Sequence, residues 1–255
     1  MTTTDQSHVD VADVEPIAHE QGMSLFSAEM NRNLDVMRSL TAEDWTKQTE
    51  CPDWDVRRMY LHVLGACESG ASMRELAHQM MKARSFQKRH GGPQEAALSG
   101  IQVADRLELT PRELIARLSS VAPVTVRKRT RLPSLVRRAK VSIDGPVVEK
   151  WTMGYLIDVI YTRDAWMHRI DVSRATGSSP VLTADHDGRI VADVVAEWAR
   201  RHGQPFTLVL TGPVGRTFTG LGGSAEPITL DAVEFCRTLA GRSTGAGLLA
   251  TIVPF

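Results

Sequence analysis

Cysteine is scarce in this chain. Its three copies, Cys51, Cys67 and Cys236, are too few and too scattered for a disulfide framework or a thiolate zinc site. No run of about 18 apolar residues occurs, so no segment is expected to span a bilayer. Charge of one sign is not in excess: 30 Lys+Arg stand against 30 Asp+Glu. A whole-chain basic footprint is therefore absent, and neither nucleic acid nor membrane is an expected partner. The opening Met-Thr-Thr-Thr-Asp5 has neither the charged start nor the apolar stretch of a secretory leader. A reducing, cytoplasmic setting is the expectation.

Hydrophobic residues at 42% and charged residues at 24% are ordinary for a globular protein. A length of 255 residues suits one large domain or two modest ones. Residues 1–20 hold five acids and no Lys or Arg, which predicts a disordered tail. From Met23, apolar residues at Leu25, Phe26, Met30, Leu34, Met37 and Leu40 recur at helical spacing. Thr41 to Asp44 resembles a capping box, and Asp55 is placed to cap a helix whose apolar face is Val56, Met59, Tyr60, Val63, Leu64 and Cys67. Thr110-Pro-Arg-Glu113 opens another helix, with proline at its first position. Residues 122–149, rich in proline, read as a long loop. A further helix runs from about Thr152 to Ala175 and stops at Gly177, and another covers about 184–201.

After His202-Gly203 the pattern changes. Thr207–Thr211 and Arg216–Thr219 read as two strands around a turn, Asp231–Leu239 as a short helix, and Leu248–Val253 as a closing strand. The expected class is α plus a small α/β part. A helical bundle is expected over 21–177, with no strand before Gly177, and a small α/β domain over 178–255.

Of eight histidines, only His62 and His168 fall within strongly periodic helices near carboxylates or other polar groups. Asp164 precedes His168 by one turn, about 400° of rotation, so both project from nearly one face. With His62 from another helix they make a two-histidine, one-carboxylate set suited to Zn, Fe, Mn or Ni, with positions left open. The same spacing also suits a surface ion pair, and His62 a core histidine. Spacing alone leaves both readings open.

The segment Cys51-Pro-Asp-Trp-Asp-Val-Arg-Arg-Met-Tyr-Leu-His62 resembles the entry to the second helix of DinB-like proteins, and most of all the mycothiol-dependent maleylpyruvate isomerase group. Asp164-Ala-Trp-Met-His-Arg-Ile-Asp171 and the following Val-Ser-Arg-Ala-Thr-Gly177 resemble that family's metal-binding helix. Leu208–Gly215 through Leu239–Arg242 is similar to its appended sterol-carrier-like domain. The resemblance implies a DinB-like four-helix bundle and a divalent metal, zinc first, on His62, Asp164 and His168. It implies mycothiol as the low-molecular-weight thiol, a small electrophilic substrate, and S-transfer or cis–trans isomerisation. The family pattern carries glutamate where this chain has Asp164. The shorter side chain would draw the ion closer to its helix or change its identity. A non-catalytic stress-response or small-ligand-binding protein, and a metal-dependent hydrolase, are the rival readings.

Arg242 occupies a position from which the family could reach a substrate carboxylate, against a plain helix C-terminal charge. Asp171 could fix the tautomer of a ligand histidine or pair with Arg169 or Arg174. Trp54 reads as a packing anchor before a wall of the site. Cys67, about 140° around the helix from His62, is a poor co-ligand. Cys51 has no neighbour in sequence that would activate it. Seven positive charges fall within residues 127–140, and a solvated loop is their simplest reading.

Overall fold

The computed structural model describes residues 8–144, 148–224 and 226–255. The chain divides into two compact units, one spanning Ala18–Pro180 and the other uniting the described part of residues 1–17 with Val181–Phe255. Strand β1 (His8–Asp10) belongs to the smaller unit.

The larger unit begins with α1 (His19–Ser39), which buries Met23, Phe26, Met30, Leu34 and Met37 on one face. In α2 (Val56–Ala71) the Asp55 side chain accepts the Arg58 amide at 2.7 Å, as a residue preceding the first turn should. Helices α3 (Met73–His90) and α4 (Gln94–Ala104) follow, and α5 (Pro111–Thr130) opens on a complete Thr110–Glu113 capping box. Helix α1 packs against α5, and α2 against α4 and α5. Their shared core includes Met59, Tyr60, Leu64, Leu114 and Leu118, all fully buried.

Thr41 and Asp44 make their reciprocal hydrogen bonds around a single 3-10 turn, Asp44–Thr46, rather than at the start of a long helix. The expected long loop over 122–149 is corrected. Helix α5 continues to Thr130, α6 (Ser134–Arg138) follows, and β2 (Lys140–Asp144) pairs antiparallel with β3 (Val148–Thr152). The buried stripe of α5 is Leu114, Leu118, Ala122, Thr125 and Arg129, and it keeps helical spacing through two polar residues that an apolar count omits. Packing along it outweighs the donor lost at Pro123. The β2–β3 hairpin also overturns the expectation of no strand before Gly177.

The next helix is continuous from α7 (Met153–Tyr155) through a π turn (Leu156–Ile160) into α8 (Tyr161–Thr176), which packs against α1 and α2. It ends at Gly177, whose φ of 72° is the left-handed conformation glycine favours. A Cβ on Gly22 would lie 2.6 Å from the Asp158 carbonyl oxygen, so only glycine lets α1 approach the π turn this closely.

In the smaller unit a π turn (Ala184–Gly188) leads into α9 (Arg189–His202), then β4 (Phe206–Thr211), β5 (Thr217–Gly220), β6 (Ile228–Asp231) and α10 (Ala232–Leu239). The sheet order is β1-β5-β4-β6, with β4 antiparallel to β5 and parallel to β6. Phe206, Leu208, Leu210 and Phe218 are buried on the sheet, and Trp198 packs on Phe206 and Phe235.

Two expectations are corrected here. Residues 8–10 of the predicted disordered tail form a strand pairing in parallel with Thr217–Thr219, while residues 1–7 lie outside the described residues. The pairing is remote in sequence, and local composition does not register it. Leu248–Val253 is not a strand. Its backbone serves helices instead: the Leu248 carbonyl accepts the Trp198 indole N–H at 2.9 Å, and the Val253 amide donates to Leu239 at 3.1 Å.

Candidate metal centre

His62 lies in the middle of α2, with Asp164 and His168 one turn apart on α8. All three expected ligands come together, each offering one atom within 4.8 Å of the others. Asp164 lies between the imidazoles, its Oδ2 3.5 Å from His62 Nε2 and its Oδ1 3.2 Å from His168 Nε2. The two rings stand nearly perpendicular, 5.2 Å apart. Both histidines are buried, whereas the Asp164 side chain is 28% exposed, so the carboxylate side of the cluster is the open one.

His62 Nδ1 and both ring nitrogens of His168 are buried without a hydrogen bond among the described residues. Buried polar atoms are normally satisfied. Two such imidazoles converging on one carboxylate are the donor set a divalent ion takes, and the residues present fit it.

Behind the cluster, Asp171 is completely buried, and its Oδ2 lies 3.7 Å from His168 Nδ1 on the same helix. That is the placement of a carboxylate that orients a ligand imidazole from behind. Arg169 pairs with Glu29 at 2.6 Å, and Arg174 with Glu50 at 3.1 Å. Trp54, read from sequence as a packing anchor, also flanks the site: its ring lies 5.0 Å from that of His62 and 6.2 Å from that of His168. Cys67 stands outside the ligand cluster against Met30, and burial pushes its thiol up to about 12. Arg242 follows α10 in the smaller unit, half-buried, its amide donating to the Arg237 carbonyl at 2.9 Å.

Sequence reasoning missed Arg129. Its guanidinium is buried and stacks on the rings of Phe26 and Tyr161, at 4.6 and 4.1 Å, and a small cavity shared with Asp164 and Cys67 adjoins it. The continued stripe of α5 was the available signal.

Burial alone would raise the Asp164 pKa. The two imidazoles outweigh it and hold the carboxyl well below its usual range. For His168, burial opposes the charged form, but the Asp164 carboxylate, with Asp171 behind, raises the imidazole from 6.5 to about 9. The folded value exceeds the unfolded one, so charged His168 stabilises the metal-free fold fully below about pH 6.5 and less as pH rises through about 9, whereas Asp164, held low, contributes above the ordinary carboxylate range and loses that contribution in acid. An entering ion must displace that proton. Metal affinity is therefore expected to rise from pH 6.5 to about 9, with proton release. Titration calorimetry in buffers of different ionisation enthalpy checks this; a flat affinity above pH 7 without proton release would contradict it.

A mostly helical protein with a small sheet part, carrying two histidines and a carboxylate at one buried point, is the class that fold and site define. The family described as mycothiol maleylpyruvate isomerase N-terminal domain matches residues 26–173, more than half of the chain, and the protein belongs to it. Two solved structures are similar. One is the mycothiol-dependent maleylpyruvate isomerase, at 15% identity and a TM-score of 0.57. The other is a histidine-to-alanine mutant of a mycothiol-dependent maleylpyruvate isomerase, at 14% and 0.56. Each comparison covers 92% of this chain and 93% of the other. At such identity the likeness is one of fold. No curated protein matches the chain. Among the described residues, no helix is long and apolar enough to cross a membrane.

Proposed function

We propose that the protein is a cytoplasmic, metal-dependent enzyme that adds a low-molecular-weight thiol, mycothiol, to a small electrophile, ending in cis–trans isomerisation or S-transfer. The observation that carries this reading is the convergence of His62, Asp164 and His168 within 4.8 Å. Family membership supports the thiol. A divalent ion, zinc first and Mn, Fe or Ni otherwise, would make a thiol of pKa about 8.5 a thiolate at neutral pH.

The chain's own residues supply the rest. His62 and His168 would hold the ion as neutral imidazoles, and Asp164 would contribute the single negative charge. Asp171, 3.7 Å behind His168 Nδ1, would favour a proton on that nitrogen and leave Nε2 to face the cluster. Trp54 covers one side of the imidazoles and limits water there. Arg242 would hold a substrate carboxylate through its planar fork. In this reading the larger unit is a DinB-like four-helix bundle and the smaller a sterol-carrier-like module.

The test is turnover of maleylpyruvate and other small electrophiles by metal-loaded protein, with and without mycothiol. Turnover that requires the thiol is expected. Equal turnover without thiol would point to a hydrolase, and none with any electrophile to a binding protein.

A further inference from the structure

The structure separates the charges of the basic stretch at 127–140, of which Arg129 alone borders a cavity with Asp164. Arg127, Lys128 and Arg131 are exposed, and Arg129 is buried. Arg137 and Arg138, with Ser134, instead line a cavity of about 370 Å³ completed by Thr152, Gly154, Tyr155 and Asp158. None of the three candidate ligands lines it.

Asp158, the one carboxylate in the wall among the described residues, is already engaged. Asp158 Oδ1 lies 2.7 Å from His19 Nδ1, and its Oδ2 lies 3.6 Å from an Arg137 terminal nitrogen. The Arg137 Nε is buried and has no hydrogen-bond partner among the described residues. Thr152 Oγ1 accepts the Tyr155 amide at 3.0 Å, which leaves its own proton to donate. Gly154 keeps the wall close: a Cβ there would meet the Arg137 carbonyl oxygen at 3.2 Å. Two guanidiniums and hydroxyl donors thus face one occupied carboxylate, in a volume typical of small-molecule sites.

The geometry points to a second ligand site, one that takes a small hydroxylated oxyanion, its phosphate or carboxylate group held by Arg137 and Arg138. Planar guanidinium forks match both groups bidentately. Hydroxyls on the ligand would meet Thr152 and Ser134. The site stands apart from the metal reading, because none of its residues is a candidate ligand.

Calorimetric titration of the full-length protein with inorganic phosphate, and separately with malate, tests this. Saturable binding is expected for at least one probe, weakened about 10-fold or more by Arg137→Gln and by Arg138→Gln. Tighter phosphate binding would assign a phosphate ester; tighter malate binding would assign a hydroxycarboxylate. The exposed side chain of Arg138 makes its replacement safe for folding, should Arg137→Gln unfold the protein. Arg127→Gln, outside the cavity, is expected to leave binding unchanged. Binding that does not saturate, or that Arg127→Gln weakens as much as Arg137→Gln, would overturn the site in favour of a diffuse basic surface.

Discussion

His62→Ala is expected to retain its fold and to lose thiol-dependent turnover by more than about 100-fold. Removing a residue that merely orients a ligand typically costs about 10- to 100-fold in metal affinity or activity, and removing a ligand should cost more. His62 lies in mid-α2 among the buried apolar residues Met59, Tyr60, Val63 and Leu64, and those neighbours keep their packing in the variant. Circular dichroism and a thermal melt check the fold, and a coupled assay with mycothiol checks turnover. Asp164→Glu, which installs the residue of the family pattern, is expected to keep activity. Activity unchanged in His62→Ala would remove the histidine from the site.

Arg106→Met is expected to cost about 3–5 kcal/mol of stability without touching the metal centre. Arg106 is 4% exposed and ties three helical segments together. It donates to Glu68 on α2 at 2.5 Å, to Glu75 on α3 at 2.6 Å, and to the Gln102 carbonyl of α4 at 2.9 Å. Burial would raise the Glu75 pKa, but Gln79 and Arg106 hold it below its usual value. Without the guanidinium, Glu75 loses its ion-pair partner, and among the described residues Glu68 keeps only Arg117, whose side chain is 48% exposed. An exposed partner compensates weakly, and Arg117→Ala is expected to cost less than about 1 kcal/mol. Denaturant midpoints distinguish the two. Equal, small effects would show that packing rather than this ion cluster joins α2, α3 and α4.

The helices that carry the cluster were legible because their faces follow simple rules. Asp55, the apolar face of α2, the one-turn spacing of Asp164 and His168, and Gly177 each act through local geometry. What escaped was set by contacts remote in sequence or by polar residues in apolar roles. β1 is a strand only because β5 lies beside it. The last half of α5 is hidden by Thr125 and Arg129, which are buried although polar: the threonine donates to the Cys67 carbonyl at 2.6 Å, and the arginine stacks on two rings. Leu248–Val253 has strand composition, but its backbone groups are claimed by Trp198 and α10. At the site, the residue types and spacing did not settle between a metal set and a surface ion pair, the commoner meaning of such a pair. The burial of both imidazoles, with nitrogens lacking hydrogen bonds, favours the metal set.

The most direct test of the account is the metal content of protein purified without chelator or histidine tag, beside His62→Ala and His168→Ala. The expected result is about one divalent ion per chain in the parent, as one three-ligand set allows, and its loss in both variants. No bound metal in the parent, even after reloading with Zn, Mn, Fe and Ni, would contradict the metal centre and with it the proposed chemistry.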